Sequence, residues 1–200
     1  MQSPELATVR GLRRAQILAE GRALVAEEGL GALTFGALER RLPFSRGVIT
    51  HHFRNKEEIV DAVLDEALTD IDAATRHDVA ASATVRDMVR AVLRSKVRGF
   101  LEVVEAAQVL ISFWSRLNTD ARARARNAAL YRRYRHQSAR LLQEGQRQGL
   151  FRADLDVEAF AALLVAQVLG ITLQALFEPG AIDVERAIDA ATDTILAGAR

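Results

Sequence analysis

The stretch TFGALERRLPFSRGVITHHFRNKEEI, residues 34–59, decides the fold prediction, because it has the pattern of two short helices joined by a tight turn. Thr34 can cap the first helix with its hydroxyl, and Pro43 ends that helix. Ser45 can cap a second helix over RGVITHH, and Phe53 follows it directly. This order favours a helix-turn-helix, whose second helix fits the major groove of DNA. Two short helices also occur in other helical bundles, so the pattern alone leaves both possibilities open.

Pro43 is the unusual residue of the turn. Its ring fixes φ at about −65°, whereas tight helix-to-helix turns commonly place one residue at positive φ, which glycine adopts most easily. A proline can instead occupy the first corner of a type I turn. We therefore expect Pro43 to change the angle of the second helix without abolishing it.

Helical periodicity continues on both sides of this segment, and no convincing strand interrupts it. The hydrophobic fraction is 50% and only three prolines occur, so the composition favours an all-α fold with ample material for a core. The pattern predicts helices over 13–28, 34–42, 45–52, 55–71, 84–103, 105–117, 120–148, 156–177 and 183–198. A change of character at 77–84 predicts an N-terminal domain at 11–71 and a larger C-terminal domain at 80–200.

Charge is unevenly distributed, although the net charge is only +1. Residues 1–56 carry nine Lys/Arg and five Asp/Glu, a balance of +4, while the remaining eighteen Lys/Arg and twenty-one Asp/Glu give −3. A basic N-terminal part favours a polyanionic partner, and a solvated basic surface is the alternative.

The residue inventory argues against an enzyme. The sequence has no nucleophile elbow, no phosphate-binding glycine loop and no set of metal ligands, so we expect no catalytic residue, no metal and no cofactor. The absence of cysteine excludes disulfides and fits a reducing cytoplasm. The N-terminus has no apolar signal core. We therefore expect a cytoplasmic protein.

One segment, 157–177, is apolar enough to be a membrane candidate. It contains Glu158, Gln167 and Gln174 and is the sole candidate in the sequence. A buried or interface helix is the better interpretation, so no membrane partner is expected.

The helix-turn-helix segment resembles the DNA-binding domain of the tetracycline-repressor (TetR) family over roughly 11–71. The resemblance rests on six residues in register: Thr34, Leu38, Ser45, Gly47, Phe53 and Lys56. The run GVITHHF looks most like the betaine-synthesis repressor branch of that family. Three residues depart from the family pattern, namely Glu39 in place of a small alanine, Pro43 in place of the turn glycine, and Thr50 in place of a tyrosine.

The resemblance implies that the partner is a double-stranded DNA operator. The implied DNA-binding residues are Thr34, Ser45, Arg46, Gly47, Thr50, His51, His52 and Lys56. Ser45 and the amides after it are expected at a phosphate, and Arg46 and Thr50 at base edges or phosphate. Gly47 would let the backbone approach. For the histidine pair, a solvated helix end is the alternative.

The larger C-terminal part is similar in organisation to the family's ligand-binding and dimerisation domain. The helices near 156–177 and 183–198 are expected to form a homodimer interface, since the first is apolar on nearly every side. A central helix of a monomer is the alternative. The arginine-rich run 116–140 is interpreted as a solvated helix face rather than a second nucleic-acid site.

Aromatic residues and two glutamines of this part could line a pocket for an unknown small-molecule effector. The candidates are Phe100, Gln108, Phe113, Trp114, Tyr134, Phe160 and Gln167. For any single aromatic residue, a place in the core is the alternative. Trp114 stands out, because the resembling branch has a comparable FW pair and indole is the best surface for a quaternary ammonium group.

The resemblance implies a ligand-responsive repressor that is released from a near-palindromic operator when an effector binds. The alternative is an effector-binding or scaffolding helical dimer that has lost DNA binding through Glu39 and Pro43.

Overall fold

The computed structural model describes residues 4–75 and 84–199, with side chains from Val9 onward. Every regular element in these ranges is helical, which confirms the all-α prediction. The α-helices are α1 (Pro4–Glu28), α2 (Phe35–Arg41), α3 (Arg46–His52), α4 (Lys56–Ala74), α5 (Val85–Glu102), α6 (Val104–Trp114), α7 (Ala121–Arg147), α8 (Val157–Phe177) and α9 (Val184–Ala199). A short 3₁₀ turn, Leu30–Ala32, follows α1.

Three helix limits differ by three residues or more from the sequence prediction, and one of them is the end of α4, at Ala74 rather than residue 71. The first helix begins at Pro4 rather than Arg13, with proline at the first helical position, where it lacks only an N–H that would have no partner. Apolar periodicity missed this start because Val9 and Leu12 are exposed. The sixth helix ends at Trp114 rather than at residue 117. The predicted boundary at 77–84 lies, apart from Thr84, outside the described residues.

The described chain divides into two compact units. The first unit runs to Asp72 and also includes Val103–Leu117, so α6 belongs to it. Its core contains Ile17 and Leu18 of α1, and Ile49 of α3, all fully buried. The domain limits of 11–71 and 80–200 stay a prediction, from which this unit differs by the packing of α6 on α1.

Ion pairs also join α6 to the rest of the first unit. Arg22 of α1 contacts Asp70 of α4 at 2.6 Å and Glu105 of α6 at 3.0 Å. At the other end of α6, Arg116 contacts Glu57 at 2.6 Å. These pairs fix α6 against both α1 and α4, which local periodicity could not have predicted.

The second unit contains Ala73–Glu102 and the residues from Asn118 onward. Its core is formed by α5, α7, α8 and α9, with Leu93, Ile188 and Ile195 fully buried. An ionic ladder runs beside this core, because arginines four residues apart on α5 face acids four residues apart on α9. Its contacts are Arg86–Asp193 at 2.9 Å, Arg90–Asp189 at 2.6 Å, Arg94–Glu185 at 3.1 Å and Arg98–Glu185 at 2.7 Å.

The helix α8 is long and apolar enough to cross a membrane, and 22% of its most apolar window is buried in the described chain. Length and composition of a single helix are weak evidence for a span, because an interface helix has the same properties. Leu163 and Phe177 are 39% and 67% exposed. The helix therefore presents a large apolar face that the described residues of its own chain leave open.

Candidate DNA-binding surface and effector residues

The short helices α2 and α3 are anchored by a cap that the sequence predicted and by two buried apolar side chains. The Thr34 hydroxyl accepts a hydrogen bond from the Ala37 N–H at 3.1 Å, so Thr34 caps α2 as expected. Ile49 of α3 is fully buried and Phe53, which ends α3, is 3% exposed. These apolar anchors hold α3 against the core and leave its opposite face in solvent.

The turn between α2 and α3 needs no residue at positive φ. Leu42 is extended at φ −102° and ψ 146°, which is the conformation that a following proline imposes. Among the described residues, positive φ occurs only at Gly29, Gly149 and Gly180, all far from this turn in sequence. Pro43 is therefore compatible with the helix-turn-helix, and its effect on the angle of α3 stays a prediction.

The start of α3 differs from a standard N-cap. Ser45 has the extended conformation of a cap residue, φ −70° and ψ 162°, but its hydroxyl makes no capping hydrogen bond. The backbone N–H of Arg46 instead donates to the Glu39 carboxylate at 3.0 Å. The first amide of α3 is thus already engaged by a side chain from α2.

The predicted DNA-binding residues all lie in the first unit, within or beside α2 and α3. Most are exposed, namely Thr34, Ser45, Arg46, Gly47, Thr50 and His51. A Cβ built on Gly47 would meet only the Ser45 Oγ, at 3.7 Å, so packing within the protein does not require a glycine there. A glycine at this position lets an external partner approach the backbone closely.

Besides Thr34, the side chains of Thr50, Lys56 and Arg46 contact other residues of the protein. The Thr50 hydroxyl donates to the Gly47 carbonyl at 3.1 Å. The Lys56 ammonium donates to the Gly31 carbonyl at 3.2 Å. The Arg46 guanidinium lies 5.7 Å from the centre of the Phe35 ring. All three groups are at or near the surface, so they can exchange these partners for a phosphate or a base edge.

His52 has an unusual electrostatic environment. Burial first, and then the charges of His51, Arg10 and Arg14, lower the pKa of His52 from its ordinary value of 6.5. At neutral pH its imidazole is therefore uncharged. In the free protein it can donate a hydrogen bond but adds little positive charge to this surface.

Arginines of α1 next to α3 were missed by the sequence reasoning. The guanidinium of Arg13 lies 4.8 Å from the centre of the Phe44 ring, and that of Arg14 lies 5.4 Å from the Phe53 ring centre. Arg10 and Arg14 also act on the His52 pKa. The basic run RGLRR, residues 10–14, is the sequence feature that could have indicated these arginines. These arginines place positive charge beside the helix-turn-helix.

The effector candidates of the first unit lie on α6 in three different environments. Gln108 is exposed, Phe113 is 3% exposed in the core, and Trp114 is half-buried at the end of the helix. Phe113 therefore has a packing role in the described chain. Trp114 retains solvent access that a ligand contact requires.

The effector candidates of the second unit are Phe100, Tyr134, Phe160 and Gln167, and all four are half-buried. Phe160 packs against α9 at Gly198. Its ring is so close that a Cβ added to Gly198 would lie only 2.8 Å from it. Tyr134 stacks edge-to-face on Tyr131, with ring centres 5.9 Å apart. The side-chain oxygen of Gln167 is buried, with no hydrogen-bond partner in the described part of the chain.

A surface groove of about 620 Å³ lies elsewhere on the second unit. Its walls are mainly arginines of α7, among them Arg132, Arg135 and Arg140, with Glu158 from α8. None of the seven effector candidates lines it. The groove is open and basic, which fits the interpretation of the arginine-rich run as a solvated face.

Nearly the whole chain is similar in sequence to known transcriptional regulators. Residues 17–63 match the family described as bacterial regulatory proteins, tetR family, and residues 85–199 match BetI-type transcriptional repressor, C-terminal. The HTH-type transcriptional regulator BetI of Burkholderia thailandensis is 27% identical over 190 residues, which cover 94% of this chain and 93% of that protein.

Solved structures share the fold. A transcriptional regulator from Saccharomonospora viridis, crystallised in complex with choline, has a TM-score of 0.76 at 22% identity, covering 92% of this chain and 95% of its own. The TetR-family regulator PfmR from Thermus thermophilus has a TM-score of 0.65 at 27% identity, covering 91% and 97%. The family consists of transcriptional regulators and not of enzymes. The helix-turn-helix at α2 and α3 and the two family matches establish that the chain belongs to the TetR family of DNA-binding transcriptional regulators, with a BetI-type C-terminal domain.

Proposed function

We propose that this regulator is a cytoplasmic homodimeric repressor that binds a near-palindromic operator through α3 and releases it when a small effector binds. One observation carries the proposal: α3 is fixed by the buried Ile49 and Phe53 while its polar face is exposed next to arginines of α1. A helix held in this way can enter the major groove, and the cations beside it can contact phosphates.

The proposed DNA contacts follow from the chemistry of each exposed group. Arg46 and Thr50 are suited to base edges or phosphate once their present contacts are exchanged. Gly47 permits close approach of the backbone, and Ser45 and Lys56 are suited to phosphate. His51 and His52 can add hydrogen bonds. Thr34 contributes by capping α2 and can also present its exposed hydroxyl to a phosphate.

The homodimer is proposed to form through α8 and α9. The open face of α8 contains Ala159, Ala162 and Ala166, and α9 exposes Ala190 and Ala197. Small side chains let two helices approach closely, and the exposed Leu163 of α8 adds apolar area to the same helix. A second copy would cover this surface and leave the two α3 helices available for two half-sites.

A quaternary ammonium compound is the proposed class of effector. Choline is bound by the Saccharomonospora viridis relative of the same fold. The half-buried indole of Trp114 offers a cation–π surface of the kind that such a head group prefers. In the second unit, the buried oxygen of Gln167 can accept a hydrogen bond from a ligand hydroxyl. Phe113 has a packing role, and the other effector candidates stay predictions.

The test measures operator binding with and without effector. Fluorescence anisotropy with duplex DNA from upstream of the protein's own gene should show salt-dependent, saturable binding that choline reverses. The neutral carbon isostere of choline is the matched control, since it has the same shape without the charge. Reversal by choline alone supports a quaternary ammonium effector. Equal reversal by both compounds, or by neither, would show that this class is wrong.

A second candidate is a helical dimer that has lost specific DNA binding. Two contacts favour it, since the Arg46 amide is engaged by Glu39 and the Lys56 ammonium by the Gly31 carbonyl. Absence of any salt-dependent binding to the upstream DNA, in a protein that still binds an effector, would select this second function.

A further inference from the structure

The hydrogen bond between Glu39 and Arg46 joins the two helices of the helix-turn-helix. The Glu39 carboxylate belongs to α2, and the Arg46 N–H is the first amide of α3. Within residues 34–53, all of which the structure describes, this is the hydrogen bond that links α2 to α3. The side chain from the neighbouring helix thus replaces the capping function that Ser45 does not perform.

The turn itself has little means of fixing the angle between these helices. Pro43 has no N–H to donate, and Leu42 completes α2 by donating to the Leu38 carbonyl at 3.0 Å. Apolar packing of Ile49 and Phe53 fixes the depth of α3. Rotation of α3 about that anchor is opposed by contacts at its first residue: Glu39 accepts the Arg46 N–H, and the Arg46 guanidinium lies 5.7 Å from the centre of the Phe35 ring.

Glu39 also changes the electrostatics of the DNA-facing surface. Its side chain is exposed, and its carboxylate lies at the helix start where the family resemblance places a phosphate. A carboxylate at this position repels the DNA backbone and competes for the same N–H. It lowers affinity for every sequence equally, because a phosphate contact carries no sequence information.

We propose that Glu39 is a positioning and specificity-determining residue, whose hydrogen bond sets the orientation of α3 and whose charge weakens sequence-independent DNA binding. The hydrogen bond raises the ratio of operator affinity to non-specific affinity, and the charge lowers both affinities alike. This role rests on the proposed operator binding and deepens it. It is attributed to Glu39 itself, the residue that departs from the family's small alanine.

Two variants separate the hydrogen bond from the charge. Glu39→Gln keeps a carbonyl acceptor and removes the charge, whereas Glu39→Ala removes both. Glu20→Gln is the matched control, since Glu20 is a part-buried glutamate of α1 in the same unit. Affinity is measured for the tightest duplex that the wild type selects from a random pool, and for a scrambled duplex, over a range of salt concentrations.

In Glu39→Gln, both affinities should rise by up to about fivefold, the range expected for one exposed charge, and their ratio should be unchanged. In Glu39→Ala, the ratio should fall by about tenfold, the size of effect expected when a helix cap is lost. A ratio in Glu39→Ala within twofold of the wild type would overturn the positioning role, and so would an equal fall in Glu39→Gln. Unchanged scrambled-duplex affinity in Glu39→Gln would overturn the charge effect.

A second readout does not depend on DNA. Amide hydrogen exchange of the Arg46 N–H should be slow in the wild type and in Glu39→Gln, and fast in Glu39→Ala, at equal melting temperature. Fast exchange in the wild type would overturn the hydrogen bond and leave the proposed function standing. A wild type that selects no duplex but protects this amide would overturn the proposed function and the specificity role together.

Discussion

The ammonium group of Lys56 has one partner in the free protein and another expected on DNA. It now donates to the Gly31 carbonyl at 3.2 Å, a surface contact that a phosphate can replace. Lys56→Ala should therefore weaken binding to all DNA sequences alike and reduce the salt slope by about one counterion. Anisotropy titrations of operator and scrambled duplex at several salt concentrations measure this. Lys56→Arg, which keeps the charge, should retain the slope, and a loss confined to one base position would contradict the phosphate role.

Two neighbouring aromatics on α6 allow a matched test of the effector hypothesis. Trp114 is half-buried, whereas Phe113 is 3% exposed. Trp114→Leu should reduce release by choline while preserving operator affinity and melting temperature, because a ligand shifts an equilibrium only through its differential contacts. Phe113→Leu should lower the melting temperature and DNA binding together, since it leaves a cavity in the core.

Melting temperature and operator affinity are compared first without ligand and then with choline. An unliganded Trp114→Leu variant that melts early and binds DNA poorly would assign Trp114 to the core. Normal release by choline in a stable variant would remove Trp114 from the effector site.

Of the two caps predicted from local sequence, that of Thr34 on α2 is confirmed and that of Ser45 on α3 is wrong, since the Ser45 hydroxyl makes no capping hydrogen bond. At the start of α4, the structure shows a second local cap: the Glu58 amide donates to Asn55 at 2.9 Å, and the Glu58 carboxylate accepts from the Arg54 amide at 2.7 Å. A cap is specified by residues two or three positions apart, so the sequence contains it. The Glu39 contact with Arg46 bridges two helices, and its formation depends on their tertiary arrangement.

Among the elements, the ladder between α5 and α9 has a defined pH dependence. The hydrogen bond from Arg98 and that from Arg94 hold the pKa of Glu185 below its ordinary value of 4.5, and Arg90 holds the pKa of Asp189 below 3.8. A folded-state pKa below the unfolded value stabilises the fold fully above the unfolded pKa. The contribution is lost as the pH falls through the folded pKa.

Glu185→Gln should therefore lower the melting temperature near neutral pH and have a smaller effect at an acidic pH below the lowered pKa of Glu185, where the wild-type carboxylate is also protonated. The loss near neutral pH should be about 1 kcal/mol, since the pairs are partly exposed and screened, or about 2–4 °C for a chain of this size. Calorimetry at both pH values measures it. Glu102→Gln, an exposed change on α5, should show no such dependence. An equal loss at both pH values would exclude the ladder as the cause.

The positions of the helices along the sequence could be predicted, but the helices that each one packs against could not. Apolar periodicity located α4 through α9 to within a few residues, because each helix buries one face. The packing of α6 on α1 in the first unit arises from contacts such as Arg22 with Glu105, which are 83 residues apart. No local pattern encodes a contact of that separation, so the compact units differ from the sequence domains.

At the scale of the whole molecule, the open face of α8 makes assembly the main question. A palindromic operator requires two recognition helices related by a two-fold axis, and one chain supplies one α3. The apolar surface around Leu163, 39% exposed in the single chain, would otherwise stay in water. Both considerations predict a dimer at micromolar concentration, and sedimentation as a monomer would contradict it.

Ala166→Glu tests whether α8 forms that dimer. Ala166 is exposed on α8 in the single chain, so the longer side chain should not disturb the fold of one subunit. In a dimer through α8, it would bury an unpaired carboxylate, at a cost of about 3–5 kcal/mol, so the dimer should dissociate at least about 100-fold more readily. Operator affinity should fall with it, because the two α3 helices lose their fixed spacing. Ala125→Glu, at an exposed position of α7, is the matched control and should leave both properties unchanged. Sedimentation velocity measures assembly and anisotropy measures operator binding; an Ala166→Glu protein that remains dimeric would place the interface on a different surface.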